Sequence, residues 1–250
     1  MTGIEVRTEE GRARCVLRPG LLSPRLLGSS PAGARVALVA TRALLLAGDC
    51  VRIDVHVGAG ATLEVVETSG TVAYDARGGD AGWDVTIRVD AGGTLVWAGL
   101  PFVVAAGARV ARRTTVDLAP GAVLLLRETL VLGRSGELGG DLTVRTRCTL
   151  GSRPALAEDL RLDVTRTAPG VLADARVLDS VLCLGVRPPA TAPAAGRTRL
   201  DLDVVGAMAR SLAPDAHTGS LDDVWRAWEA HVRERSSPTA GTRPPALVPD

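Results

Sequence analysis

Lysine, asparagine and glutamine do not occur among the 250 residues, and aromatic side chains make up only 2% of them. Without lysine there is no Schiff-base amine, no phosphate-gripping lysine of a nucleotide loop and no Ser-Lys dyad. A GC-rich coding bias accounts for the gap in composition; the chemical exclusion holds whatever its origin. Four tryptophans, one tyrosine and one phenylalanine are too few for the stacking platforms that single-stranded nucleic acids need. The 29 arginines face 28 acidic residues, both signs interleaved, for a net charge of +1. No basic stripe results, so no nucleic-acid partner is expected. The segment Met1 to Glu10 lacks the apolar core of a signal peptide, and no apolar stretch approaches the roughly 18 residues of a membrane span. The expected setting is the cytoplasm, with no membrane partner.

Metal and nucleophile motifs are equally scarce. His56, His217 and His231 share no HxH or HxxxH spacing, and Cys15, Cys50, Cys148 and Cys183 form no CxxC pair. The cysteines are expected as small core side chains; Cys50, after Gly48-Asp49 and six residues before His56, is the one for which a metal-ligand role stays open. No G-x-S-x-G elbow or phosphate-binding loop occurs. Gly58-Ala59-Gly60 and Gly92-Gly93 fall in turns with no helix after them, so they carry no dinucleotide fingerprint.

What the chain does have is a repeat. Around Gly60, Gly92 and Gly121 the same flanking positions are apolar: Val55, Val57, Leu63 and Val65, then Ile87, Val89, Leu95 and Trp97, then Val116, Leu118, Leu124 and Leu126. Gly33, followed by Val36 and Leu38, is a partial fourth copy. Each arm alternates with period two, the mark of a half-buried strand, with the glycine in the turn between arms. A lone unit cannot bury its apolar face, so the copies must pack on one another. The expected fold is mainly β: stacked β-hairpins in a β-helix-like sheet stack, with a short C-terminal helix, forming one domain over residues 1–235.

Around the repeats, residues 1–30 read as irregular, with strand fragments near Arg14 to Leu17. Strands are expected at Leu142 to Leu150 and Leu156 to Val164, turning at Gly151 to Pro154, and a strand pair over Val171 to Val186. The Pro-rich segment from Arg187 to Gly196 reads as a loop. Leu200, Leu202 and Val204 alternate again, and Met208 to Leu212 makes the last strand. A helix is expected from Ser220 to Glu234, with Ser220 as cap, Asp223 as the capping-box acid, and Leu221, Val224, Trp225, Trp228 and Val232 on one face. That face is expected to dock on the open end of the stack. Residues 236–250 have little to bury and are expected to be disordered.

Two acid pairs stand out, Glu64 with Glu67 at a strand end and Glu128 with Glu137 around a glycine-rich turn. Such pairs leave open a β-stack hydrolase or lyase acting on a polysaccharide, although a sugar cleft also wants aromatic platforms.

The residues from Ala47 to Tyr74 resemble the UreD (UreH) family of urease accessory proteins: Gly48-Asp49, a strand, Gly58-Ala59-Gly60-Ala61, a second strand, then Thr68, Thr71 and the aromatic Tyr74. Further matches follow in order at Gly92 to Trp97 leading to Pro101, Leu118 to Ala122, Glu128 with Leu132-Gly133-Arg134, and Gly136-Glu137. Together they cover about residues 44 to 165. The resemblance implies a β-stack with a small helical part and no catalytic activity of its own. It implies a urease maturation factor, a scaffold or chaperone that acts with UreF and the GTPase UreG to insert nickel into apo-urease. UreE is the implied nickel donor, and an internal polar passage the implied route. No cofactor is stably bound on this reading; nickel is held transiently at most.

Carried over by position, the implied metal contacts are Asp49, Glu64, Glu128 and Glu137, with Thr68, Ser69, Thr71, Tyr74 and Arg134 as polar lining. Each has a plainer alternative. Asp49 shapes the turn after Gly48; Thr68, Ser69 and Thr71 end a strand around Gly70; Glu128 pairs with Arg134; Glu137 is a solvated turn residue. The chain also departs from the family pattern. The glycine run usual before Gly48 is Arg42 to Ala47, the usual lysine is Val72, and the closing Pro-Arg-x-Trp is replaced by Arg243-Pro244-Pro245.

Overall fold

A computed structural model of the chain describes residues 1–163 and 172–236. The N-terminal segment, expected to be irregular, forms three strands: β1 (Thr2–Glu9), β2 (Arg12–Arg18) and β3 (Leu22–Ser30). β1 and β2 pair antiparallel from Gly3↔Arg18 to Glu9↔Arg12. Their alternation is real but short: Ile4 and Val6 are buried, while Glu5, Arg7, Arg12, Arg14 and Arg18 face outward and mask the pattern. β3 pairs antiparallel with β4 (Gly33–Ala40), with a bulge between Leu26 and Gly28.

The repeats follow as β5 (Cys50–Val57), β6 (Thr62–Glu67), β7 (Thr71–Ala73), β8 (Ala81–Val89), β9 (Thr94–Ala98), β10 (Phe102–Val104), β11 (Arg109–Leu118) and β12 (Val123–Leu132). The stacked, mainly β architecture is as expected; the pairing inside each unit is not. The two arms around each glycine bond to different sheets. β5 runs parallel between β1 and β8, whereas β6 runs parallel between β4 and β9. β11 likewise stacks on β8 and β12 on β9. The chain therefore coils between two sheets, and each coil rests on the one before. Period-two alternation reports that one face of an arm is buried, and it is silent on which strand shares the hydrogen bonds.

Gly60, Gly92 and Gly121 occupy the corners with φ of 65°, 69° and 76°, the left-handed region that a side chain disfavours. The corners themselves stack: Gly60 N–H donates to Ala91 O, Thr94 N–H to Ala61 O and Val123 N–H to Gly93 O.

Beyond the coils, β13 (Asp141–Leu150) continues the parallel stack on β11 and turns at Gly151-Ser152 into antiparallel β14 (Arg153–Leu162). Where a strand pair was expected there is one described strand, β15 (Val177–Leu184); Val171 lies outside the described residues. All eight residues of β15 are buried, so it shows no alternation to read. A loop over 187–196 leads to β16 (Arg197–Asp201) and β17 (Gly206–Ala213). One sheet has the order β14-β13-β11-β8-β5-β1-β2, the other β16-β17-β15-β12-β9-β6-β4-β3, with β7 and β10 forming a short side ladder against β12.

The helix α1 (Asp222–Ser236) begins as expected, with Ser220 Oγ accepting Asp222 N–H at 3.2 Å. Asp223 pairs with Arg197 at 2.9 Å. The helix does not cap the open end of the stack. It lies on the outer face of the second sheet, where Leu221, Val224, Trp225, Trp228 and Val232 cover Val96, Leu125, Val181, Cys183, Ala207 and Ala209. That sheet face is apolar on its outward parity, and the helix covers it with its own apolar stripe. The segment expected to be disordered lies, apart from Ser236, outside the described residues.

Two stability measurements check this account. A Cβ on Gly92 meets its nearest neighbour, Gly60 N, at 3.8 Å, so strain rather than collision is at issue. Gly92→Ala should cost about 1–2 kcal/mol, and Gly92→Asn less, because asparagine tolerates the left-handed region. Trp228 is fully buried, with Nε1 donating to Pro189 O at 3.2 Å, and Trp228→Ala should cost about 3–5 kcal/mol in denaturant unfolding.

Candidate functional site

The core between the sheets is apolar except along one row. On β6 the inward positions run Leu63, Val65, Glu67, and the same parity on β12 gives Leu124, Leu126, Glu128. Register extends the row across the second sheet: Glu128 stands beside Ser180 on β15, and Ser180 beside Arg210 on β17. From the first sheet come Arg112 and Thr114 on β11, Thr146 opposite Thr114 on β13, and Glu158 opposite Thr146 on β14.

The row is closely bonded. Arg112 donates to Glu128 Oε1 at 2.6 Å, and Thr114 Oγ1 donates to the same oxygen at 3.3 Å. The Arg112 guanidinium also sits over the rings of Trp83 and Phe102, 5.5 and 4.9 Å from their centroids. Arg210 forms a forked pair with Glu158 at 2.5 and 2.8 Å and donates to Ser180 Oγ at 3.1 Å. Glu67 accepts Trp97 Nε1–H at 3.1 Å and Leu100 N–H at 2.9 Å. Burial pushes the Glu67 carboxyl above the usual carboxylate range, more than its hydrogen bonds and the Arg112 charge pull it down. Two cavities of about 20 Å³ each punctuate the row, one beside Glu67 and Arg112, the other beside Glu158 and Arg210. Glu128 borders both. Each is about the size that holds a single water.

Of the residues singled out in the sequence, Glu67, Glu128 and Thr71 reach this interior. Ser69 and Thr71 border a smaller cavity of about 10 Å³ next to Glu67 and Trp83. Thr68 donates to Leu38 O at 3.1 Å at the end of β6. Asp49 lies in the turn before β5, paired with Arg42 at 2.8 Å and accepting Leu46 N–H at 3.2 Å. Glu64 points outward, bridged to Arg35 at 3.0 Å and to Arg233 of α1 at 3.1 Å. Tyr74 is exposed on the turn after β7.

Glu137 and Arg134 pair with each other in the 133–140 turn, at 2.5 and 2.8 Å. This corrects the pairing of Glu128 with Arg134, since Glu128 faces the opposite sheet and takes Arg112. It also separates the two acids of the hydrolytic alternative, because Glu128 is inside and Glu137 belongs to an outer turn. Glu64 and Glu67 separate in the same way, three residues apart on a strand and thus on opposite faces. Among the described residues, no three His, Cys, Asp or Glu side chains converge to hold a metal ion.

Arg112, Thr114, Thr146, Glu158, Ser180 and Arg210 were not recognised in the sequence. Their signal was present: a charged or hydroxyl residue on the parity otherwise taken by buried aliphatic residues, as in Val110, Arg112, Thr114, Val116.

A family model for the UreD urease accessory protein matches residues 18–242. The chain belongs to the UreD family. Among its relatives, Urease accessory protein UreD 1 of Streptomyces griseus is 50% identical over 86% of this chain and 87% of its own length. UreD 1 of Saccharopolyspora erythraea is 40% identical over 80% and 81%, and UreD of Streptomyces avermitilis 35% identical over 79% and 82%. The chain is thus a UreD-type accessory protein.

The Glu137 turn yields a test by pH. Its carboxylate takes the Arg134 guanidinium and the N–H groups of Arg134 (3.1 Å) and Ala106 (3.2 Å), which lower its pKa from the ordinary 4.5 to about 2. A depressed acid stabilises the fold above its unfolded value and stops doing so as pH falls through the folded one. Any melting-temperature gap between the wild type and Glu137→Gln seen at neutral pH should therefore persist to about pH 4.5 and close towards pH 2.

Proposed function

We propose that this protein is a scaffold for urease maturation whose interior row passes nickel towards apo-urease while the partners, UreF and the GTPase UreG, are held in one cytoplasmic complex. The observation that carries the reading is the run of oxygen donors, Glu67, Thr114, Glu128, Thr146, Ser180 and Glu158, threaded through an otherwise apolar core. A β-stack gains nothing in stability from so many buried polar groups; replacing such pairs with apolar residues is often neutral or favourable. Their presence therefore asks for a function, and a divalent cation crossing protein needs oxygen ligands that each hold it weakly. The cavities are water-sized, so passage requires side chains to move aside one after another. Family membership and the buried row of oxygen donors support this reading.

Two acids separate transport from folding. Glu67 is penalised by its own burial when ionised, a cost present at neutral pH and relieved as pH falls through its raised pKa. Glu67→Gln should thus keep the wild-type melting temperature or exceed it near neutrality, while lowering the nickel content of urease matured with the full accessory set. Glu128→Gln leaves Arg112 without its carboxylate and should cost about 3–5 kcal/mol as well. Pull-down of UreF and urease by both variants checks that the complex still forms. Full nickel loading by both, in intact complexes, would refute the passage and leave the scaffold.

A further inference from the structure

The interior holds an arginine paired with one acid and within electrostatic reach of a second, and its bonding is incomplete. β6 and β12 flank β9 in register, so Glu67 and Glu128 stand on either side of Gly99, one residue past the paired stretch of β9. A Cβ on Gly99 would meet Arg127 O at 2.4 Å, so no side chain stands between the two acids at that position. Arg112 reaches in from the opposite sheet, bonds Glu128 through Nη2 and lies against the faces of Trp83 and Phe102. Its Nε–H has no hydrogen-bond partner, and neither has the ring N–H of Trp83, which is only 3% exposed. Both atoms belong to side chains that border the cavity shared by Glu67, Thr114 and Glu128. Buried donors are normally satisfied. Here the guanidinium is held by charge, by aromatic faces and by one carboxylate, not by a closed set of bonds.

We propose that Arg112 is the resident cation of a two-carboxylate site and acts as its gate: it occupies the space between Glu67 and Glu128, and a divalent metal enters only when the guanidinium swings aside. This rests on the passage reading above and adds what keeps the passage from becoming a trap. Two carboxylates and the Thr114 hydroxyl are hard oxygen donors that hold a divalent ion when nothing competes. A tethered positive charge of fixed geometry competes with every ion that arrives and displaces it again. The cation–π contacts give the guanidinium a defined position without tying up its Nε–H.

The test uses nickel sulfate alone and the full chain, without partners. Binding is read by equilibrium dialysis and by quenching of tryptophan emission, since Trp83 and Trp97 both border the site. Arg112→Gln removes the competing charge and adds a carbonyl oxygen; it should bind nickel more tightly by roughly tenfold or more. Adding Glu67→Gln to that variant should abolish the gain. A folded Arg112→Gln protein that binds nickel no better than wild type overturns the gate. Should Arg112→Gln fail to fold, Glu67→Gln alone preserves the Arg112–Glu128 pair. Weak quenching by millimolar nickel is then expected of the unaltered chain and should fall in Glu67→Gln; unchanged quenching overturns the proposal. Urease loading is scored separately. Tight binding by Arg112→Gln together with normal loading by Glu67→Gln and Glu128→Gln would support the site while refuting the passage.

Discussion

In-register parallel stacking of successive coils is the constraint on which the rest of this structure depends. Ile87 lies beside Val55 on one side and Val116 on the other, so one apolar face runs unbroken through the first sheet. The same register aligns the corner glycines and lets each corner bond to the next. A slip of one residue in any coil would turn that coil's apolar set to solvent. It would also rotate Glu67, Arg112 or Glu128 out of the interior and break the polar row at that coil. The backbone ladder that stabilises the core thus also fixes the chemistry inside it.

β12 serves two faces at once. Its inward residue Glu128 belongs to the interior row, while its outward neighbours Arg127 and Thr129 anchor the helix through Asp179. That carboxylate, 1% exposed, accepts from Arg127 at 2.7 Å, from Thr129 at 2.9 Å and from the Leu221 N–H at 2.9 Å. A buried charge is tolerated where its acceptor sites are filled, and here Arg127, Thr129 and the Leu221 N–H fill them. Arg127 also reaches Asp222 at 2.6 Å, so the first turn of α1, the outer sheet and the strand carrying Glu128 are joined by one network. The covered sheet face and the interior row share β12, β15 and β17, and neither can shift freely of the other.

Much of this was legible before any fold was known. Alternation around Gly60, Gly92 and Gly121 specified the strands, their buried faces and the left-handed turns, because those are local properties of the backbone and of side-chain parity. The helix, its Ser220 cap and its tryptophan stripe were legible for the same reason. The family motifs from Gly48 to Glu137 were likewise written in the order of the residues. Parity even carried the interior row, since Glu67, Arg112 and Glu128 interrupt runs of aliphatic residues on the inward side.

Which strand bonds to which was decided only by the tertiary structure. An arm with one apolar face satisfies its backbone as well in a hairpin as in a coil, and the difference lies in contacts about thirty residues away, as when Val57 meets Val89. Charge partners were decided there too. Sequence proximity paired Glu128 with Arg134, yet Arg112, across the core on the opposite sheet, holds that carboxylate, and Arg134 turns back to Glu137. The sequence by itself determined the faces, turns and family; the packing of two sheets determined which polar groups face one another, because through-space charge pairing depends on distances that no local pattern encodes.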